Sequence, residues 1–117
     1  MPTVICAPTS IPVPGGKTIE EYVGRASSGD TAVSVAHMVA PAGWAEPYQQ
    51  PEFDEFTVVL EGAMLVEHDD TTTEVTAGQA IITRAGERIR YRTEQGARYV
   101  AVCLPAFSIE LAGREDD

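Results

Sequence analysis

The segment Phe56–Val66 reads FTVVLEGAMLV, and in it two apolar runs flank Glu61-Gly62. Glycine adopts backbone angles that other residues avoid, so a glycine between two apolar runs is typical of a tight turn between strands. The sequence therefore predicts two strands joined at this glycine.

Further short strands are predicted on both sides of this pair. Upstream, Thr31–Val39 is rich in valine and ends at Pro41-Ala42-Gly43. Downstream, a turn at residues 68–71 precedes apolar segments at residues 80–83, 89–93 and 99–104. Several short strands separated by turn residues are typical of a barrel or a sandwich. No window shows a long helical periodicity, so we predict an all-β domain.

The chain length of 117 residues suits one domain with its own core. The first 30 residues contain four prolines before Gly15-Gly16, which predicts an extended N-terminal arm followed by a packing segment, with a short helix or strand over Thr18–Arg25. We expect the barrel over residues 31–112 and a solvated acidic tail over residues 113–117.

Composition restricts the partners. The net charge of -10 disfavours nucleic acid, because phosphate binding requires clustered Lys and Arg. No apolar run is long enough to span a bilayer, and the two cysteines match no metal or disulfide pattern. We therefore expect a cytoplasmic protein that binds neither nucleic acid nor membrane.

Several short segments together resemble the two motifs of the cupin superfamily. They lie at residues 41–43, 54–55, 59–62, 77–78 and 85–86. The resemblance covers roughly residues 31–104 and implies a double-stranded β-helix, or jelly-roll, barrel. The step Phe53-Asp54-Glu55 and the Val-Leu-Glu-Gly run at 59–62 are similar to the cupin domain of the ethanolamine-utilisation Q-type proteins.

In cupins, one motif supplies two histidines and a glutamate and the other a third histidine, all around a divalent metal. The resemblance places the glutamate at Glu55 and the third histidine position at Ile89. The first two histidine positions fall on one of two pairs, Tyr48 and Gln50 or Gln49 and Pro51. None of these replacements is a strong metal ligand.

Glu55 is the principal candidate for chemistry. If it points into the barrel, alternation places Thr57 and Val59 on the same side, and burial raises the pKa of the carboxyl group. Such a carboxylate suits a general base or a metal ligand. The alternative is that Glu55 only bonds loop backbone.

Other candidates surround the expected pocket. We assign Tyr48 and Tyr91 as catalytic candidates beside Glu55; the substrate-binding candidates are Trp44, Glu46, Gln50 and Ile89. Trp44 and Tyr48 equally suit a cap on the core. Tyr91 reaches the cavity if Ile89, Tyr91 and Thr93 face inward. The alternating Arg88, Arg90 and Arg92 then hold a carboxylate or phosphate, form a solvated surface, or pair with acids across a dimer interface.

Three hypotheses follow. The first is a small-molecule-binding barrel, with Glu55 transferring a proton in isomerisation or cyclisation of a small polar or acidic carbonyl compound. The second is a metal-dependent enzyme whose divalent ion is held by Glu55, His37, Glu46 and Gln50, which requires His37 to face inward with Val33, Val35 and Val39. The third is a non-catalytic binding or scaffold protein, a homodimer joined by its arm and sheet edges.

Overall fold

The computed structural model describes residues 1–115, which form strands and one short helix. The elements are β1 (Thr9–Ile11), β2 (Thr18–Val23), β3 (Ser34–Ala40), β4 (Asp54–His68), β5 (Thr71–Thr76), β6 (Ala80–Thr83), β7 (Arg90–Arg92), β8 (Ala97–Leu104) and α1 (Ile109–Ala112). Within the described residues, no helix has the length and apolar character needed to cross a membrane. The all-β prediction is confirmed.

All strand pairs are antiparallel and their order is β1-β2-β3-β8-β4-β5, with β6 and β7 also paired to β4. The first half of β4 lies between β8 and β6, and its second half lies between β5 and β7. The long strand therefore belongs to both sheets that enclose the core, as expected of a jelly-roll barrel.

The predicted turn at Gly62 is wrong, because Gly62 lies inside β4, a continuous strand of 15 residues. Gly62 has φ 77°, and a Cβ added there would lie 2.2 Å from the carbonyl oxygen of Gly96. The pairing of β4 with β8 also shifts register between Val59 and Glu61. The glycine thus allows a bend and a bulge at which β4 passes from one sheet to the other. It does not reverse the chain.

The true hairpin turn lies at Asp69-Asp70, inside the predicted turn at residues 68–71. Both aspartates have positive φ, 47° and 61°, and His68 pairs with Thr71 across the turn. Two consecutive positive φ angles are typical of the two-residue turns that match strand twist. The chain reversal therefore occurs after His68.

The N-terminal segment folds back on its own barrel. β2 pairs with β3, and Ile11 and Val13 pack against the core, so the extended N-terminal arm lies along the barrel. Of the two structures expected for Thr18–Arg25, the strand is found. Apolar side chains in the arm stay near the core because they bury surface there.

In the described part of the acidic tail, Gly113 and Glu115 are exposed to solvent, and the segment also contacts the barrel. Arg114 bridges to Gln49, and Glu115 accepts hydrogen bonds from Arg88. Asp116 and Asp117 lie outside the described residues. The segment after α1 is therefore part of the packed domain up to Glu115.

Candidate functional site

Glu55 lies inside the barrel, as predicted, with 8% of its surface exposed. Alternation along β4 places Thr57 and Val59 on the same interior face, and both are buried. Burial raises the pKa of Glu55 from 4.5 to about 7, partly opposed by the positive charge of Lys17 and by the hydroxyl of Tyr91. Near neutral pH this carboxyl group is divided between its acid and its base forms.

Lys17 is the chain's only lysine and enters the same interior. Its Nζ lies 3.8 Å from a carboxylate oxygen of Glu46, and it is 4.7 Å from the ring centre of Trp44 and 5.5 Å from that of Tyr99. Burial lowers the pKa of Lys17, while the carboxylates of Glu46 and Glu55 oppose that effect. The site therefore contains a desolvated amine held between two aromatic rings.

Local backbone explains how Lys17 arrives there. Gly15 and Gly16 both have positive φ, 88° and 81°, which turns the arm over the barrel opening before β2 begins at Thr18. A side chain at position 15 would also press on Trp44, because its Cβ would lie 3.4 Å from the indole ring. The glycine pair thus allows the arm to approach the ring that contacts the lysine.

Arg114 reaches the site from the other end of the chain. One of its Nη atoms lies 3.4 Å from Glu46, and its Nε donates to the side-chain oxygen of Gln49 at 3.4 Å. Gly113 ends α1 with φ 61°, a conformation that redirects the chain towards the barrel. Glu46 is therefore flanked by two cations that come from opposite ends of the sequence.

Two spaces meet at these charged residues. An inner cavity of about 20 Å³ is lined by Glu55, Gln49, Tyr91 and Tyr99 among others, and an outer cleft of about 250 Å³ has Val13, Pro14 and Trp44 in its wall. Lys17, Glu46 and Arg114 line both spaces. The inner cavity has room for about one water molecule. Larger ligands must therefore remain in the cleft or displace the side chains that separate the two spaces.

Tyr91 faces the cavity as predicted. Ile89, Tyr91 and Thr93 are all buried, and the Tyr91 hydroxyl lies 2.8 Å from Oγ1 of Thr83. Burial raises the pKa of Tyr91 well above 10, so the phenol is neutral and available as a hydrogen-bond donor. Ile89, in contrast, packs in the hydrophobic core rather than on either cavity wall.

The loop before β4 resolves the two alternatives for the histidine positions. Gln49 and Ile89 exchange backbone hydrogen bonds of 2.8 and 2.9 Å, and this pairing turns Gln49 inward, with Pro51 also buried. Tyr48 instead donates to Glu67 at 3.0 Å, and Gln50 donates to the Gly86 carbonyl oxygen at 2.9 Å. The expected contributions of Tyr48 and Gln50 to the pocket are therefore wrong.

Trp44 satisfies both interpretations that the sequence left open, since it is buried in the core and lines the outer cleft. Glu46 lies at the boundary of both spaces, where we expected a ligand contact. Whether either residue binds substrate stays a prediction.

His37 faces away from the barrel. In β3 the buried residues are Ser34, Ala36, Met38 and Ala40, so the predicted interior face was wrong by one residue. The His37 ring is 25% exposed, with Nδ1 3.6 Å from Glu20.

The residues do not fit the divalent metal that the cupin family implies. With His37 and Gln50 outside the cavity, no imidazole remains beside Glu55 and Glu46, and the two carboxylates already face Lys17 and Arg114. Across residues 1–115, no three His, Cys, Asp or Glu side chains converge as a metal site requires. A divalent cation would meet positive charge where it needs donor atoms.

The arginine face of β7 is occupied by acids of the same chain. Arg90 and Arg92 donate to one oxygen of Glu67 at 2.9 and 2.5 Å, and Arg88 forms a two-bond pair with Glu115. The hydrogen bond from Arg90 is the main reason that the pKa of Glu67 falls to about 2. These arginines therefore form intramolecular pairs rather than an open anion site.

Lys17 and Arg114 are site residues that sequence reasoning did not predict. The signal for Lys17 was a single lysine placed after a diglycine turn and directly before an apolar strand. The signal for Arg114 was weaker, an arginine after a short apolar helix and a glycine. Both lie outside the segments that resemble cupin motifs.

The barrel and its enclosed carboxylate define a cupin-type domain, and comparison with known proteins agrees. Residues 36–104 match the cupin domain family, to which the chain belongs. The predicted resemblance to cupins is confirmed.

Individual relatives show how far the similarity extends. A protein named endoribonuclease YbeY from Myxococcus xanthus is 45% identical over 107 residues, covering 90% of this chain but 36% of that protein. The chain thus spans about a third of the length of this relative. The ethanolamine utilization protein Q from Salmonella typhimurium LT2 has a TM-score of 0.68 at 24% identity, over 78% of this chain and 71% of that one.

An oxalate decarboxylase variant from Bacillus subtilis has a TM-score of 0.77 at 16% identity, over 97% of this chain and 33% of that one. At these identities, both structures show a shared fold and nothing finer. The expected likeness to the Q-type branch is therefore confirmed as a likeness of fold.

Proposed function

We propose that this barrel binds a small carbonyl compound and that Glu55 transfers a proton at the carbon beside the carbonyl group. The observation that carries the proposal is a buried carboxyl group whose pKa is raised to about 7. A general base is most effective when its pKa lies near the working pH. An exposed glutamate would be a far weaker base at that pH.

The outer cleft supplies the binding space, and a ligand there reaches Glu55 by displacing Lys17 and Glu46, which line both the cleft and the inner cavity. Its volume of about 250 Å³ and its apolar wall, with charged residues at the base, suit a compact ligand with one polar end. Arg114 and Lys17 both pair with Glu46 there, so a ligand carboxylate would replace Glu46 as their partner, and a guanidinium pairs well with a carboxylate. These features support a small acidic carbonyl compound over a neutral one.

The chemistry requires only groups of this chain. The Glu55 carboxylate removes the proton, the C–H electron pair forms a carbon–carbon double bond, and the carbonyl electrons move to oxygen. A cation or a neutral phenol stabilises that oxygen, and Lys17 and Tyr91 are the candidates because both line the inner cavity. In a hydroxy-aldehyde, the hydroxyl proton on the deprotonated carbon moves to the enolate oxygen, and Glu55 returns its proton to the former carbonyl carbon, which completes isomerisation to a hydroxyketone.

Hydrogen exchange tests this proposal across a whole class of candidate substrates. A panel of 2-oxo acids and hydroxy-aldehydes is incubated with the protein in D₂O, and proton NMR follows loss of the signal beside the carbonyl. We expect exchange that increases with pH around 7, as Glu55 becomes charged, and that falls by about 10²–10⁴-fold in Glu55→Gln.

The matched control is Glu61→Gln, which removes an exposed glutamate paired with Arg98 on the outer surface. This control should retain the full exchange rate. Equal exchange in wild type and Glu55→Gln, or no exchange with any member of the panel, would contradict the proposal.

A second candidate is a binding module without turnover. Two observations favour it: the inner cavity holds about one water molecule, and the matching segment in the Myxococcus relative is only part of a longer protein. Chemical-shift changes at cleft residues with the panel, together with no isotope exchange, would support this candidate. Homodimer formation stays a prediction, which light scattering tests.

A further inference from the structure

We propose that Lys17 is a nucleophile that forms an imine with the carbonyl group of a small 2-oxo acid or aldehyde. The substrate class rests on the proposed function, while the covalent step and the residue that performs it are additional. Lysine amines form such adducts when they are desolvated and accessible to a carbonyl carbon.

The position of Lys17 carries the inference. Its amine lies where the outer cleft meets the inner cavity, so a carbonyl compound in the cleft meets Lys17 before it reaches Glu55. The rings of Trp44 and Tyr99, 4.7 and 5.5 Å from Nζ, confine the amine to that boundary. A flexible surface lysine has no comparable restraint.

The charged groups around Lys17 come from three parts of the fold. Glu46 approaches from the loop before β4, Glu55 from β4 itself, and Arg114 from the segment after α1. Burial and the positive charge of Arg114 lower the pKa of Lys17, whereas both glutamates raise it, and burial is the largest influence. More of the amine is therefore neutral at a given pH than in an exposed lysine.

The step needs no oxidant or reductant. The ammonium first gives a proton to the Glu46 carboxylate, which lies 3.8 Å from Nζ, and the free nitrogen pair then forms a bond to the carbonyl carbon. The carbonyl oxygen takes that proton from Glu46 to give a carbinolamine. The nitrogen then gives a proton to Glu46, and the hydroxyl group takes it from Glu46 and leaves as water. One amine and one carbonyl compound thus yield one imine and one water.

Reductive trapping tests this proposal. The protein is incubated at neutral pH with pyruvate and sodium cyanoborohydride, and the adduct is located by peptide mass spectrometry. Because Lys17 is the only lysine, the only other amine of the chain is the α-amine of Met1, and fragment ions of their shared N-terminal peptide distinguish the two positions. Lys17→Arg keeps a positive charge but removes the nucleophile and should abolish that adduct.

A surface amine in the same chain provides the rate reference. Arg84→Lys introduces one at a position whose side chain is 60% exposed. We expect Lys17 to be trapped several-fold faster than this reference, because its amine is desolvated and confined beside the cleft. The ratio of trapping at Lys17 to trapping at the reference amine should be smaller for propionaldehyde, which lacks a carboxylate for Arg114, than for pyruvate.

The outcomes separate this proposal from the proposed function. An adduct confined to Met1, or equal rates at Lys17 and the reference amine, would overturn the imine site. Isotope exchange that persists in Lys17→Arg but is lost in Glu55→Gln would keep the proton transfer and also overturn the imine step. Trapping at Lys17 without isotope exchange of any substrate would support the imine site and reject proton transfer by Glu55.

Discussion

Replacement of Glu55 by glutamine should change how the stability of this protein depends on pH. An ordinary glutamate has a pKa of 4.5. The pKa of Glu55 is about 7 in the folded protein, because burial disfavours its charge. The folded state therefore binds this proton more tightly than the unfolded chain does. The resulting stabilisation is fully present below about pH 4.5 and is lost as pH rises through about 7.

The magnitude follows from the gap between these two pKa values. At about 1.4 kcal/mol per pKa unit, the gap corresponds to about 3 kcal/mol of unfolding free energy. Urea unfolding from pH 4 to pH 8.5 measures it, as the difference between wild type and Glu55→Gln at each pH. Subtracting the variant removes the contributions of the titrating groups that do not interact with Glu55.

We expect wild type to lose about 3 kcal/mol relative to Glu55→Gln between the two ends of this range. Glu61→Gln is the control, because Arg98 holds the pKa of Glu61 below its ordinary value at an exposed site. Its difference curve should slope weakly in the opposite direction. Parallel pH curves for wild type and Glu55→Gln would refute the assignment of Glu55 as a buried, proton-binding carboxyl group.

Two further predictions concern β4. Glu67→Gln should lower the unfolding free energy by about 2 kcal/mol at pH 7, because the charged acceptor of Arg90 and Arg92 is lost. Since the pKa of Glu67 is lowered to about 2, this deficit should shrink as pH falls from 4.5 through 2, and a constant deficit in urea melts would contradict the reasoning. Gly62→Ala should lower the thermal midpoint by at least several degrees, since a Cβ would lie 2.2 Å from the Gly96 oxygen, and an unchanged midpoint would contradict it.

The site differs from the metal centre of its family in where its positive charge comes from. Lys17 and Arg114 place two cations beside Glu46 and Glu55, and the lysine lies within the aromatic wall of the cavity. A charge carried by the chain cannot exchange with solvent as a metal ion can. The barrel thus keeps a family carboxylate while changing the chemistry that surrounds it.

Local sequence pattern was sufficient for the class of fold and for part of the barrel interior. Short apolar segments between turn residues predicted the strands, and alternation from Glu55 correctly placed Thr57 and Val59 inside. The same rule placed Tyr91 in the cavity. These predictions succeed because the alternation of side chains is a property that a single strand already contains.

The rest of the site depends on contacts between distant parts of the chain. Whether His37 or Met38 faces inward, and whether Tyr48 or Gln49 does, is set by pairing with strands and loops far away in sequence. A shift of one residue exchanges the two faces of a strand, so local pattern could not choose. Lys17 and Arg114 meet at Glu46 for the same reason: the closed barrel brings the two ends of the chain to one opening, and no short-range rule describes that contact.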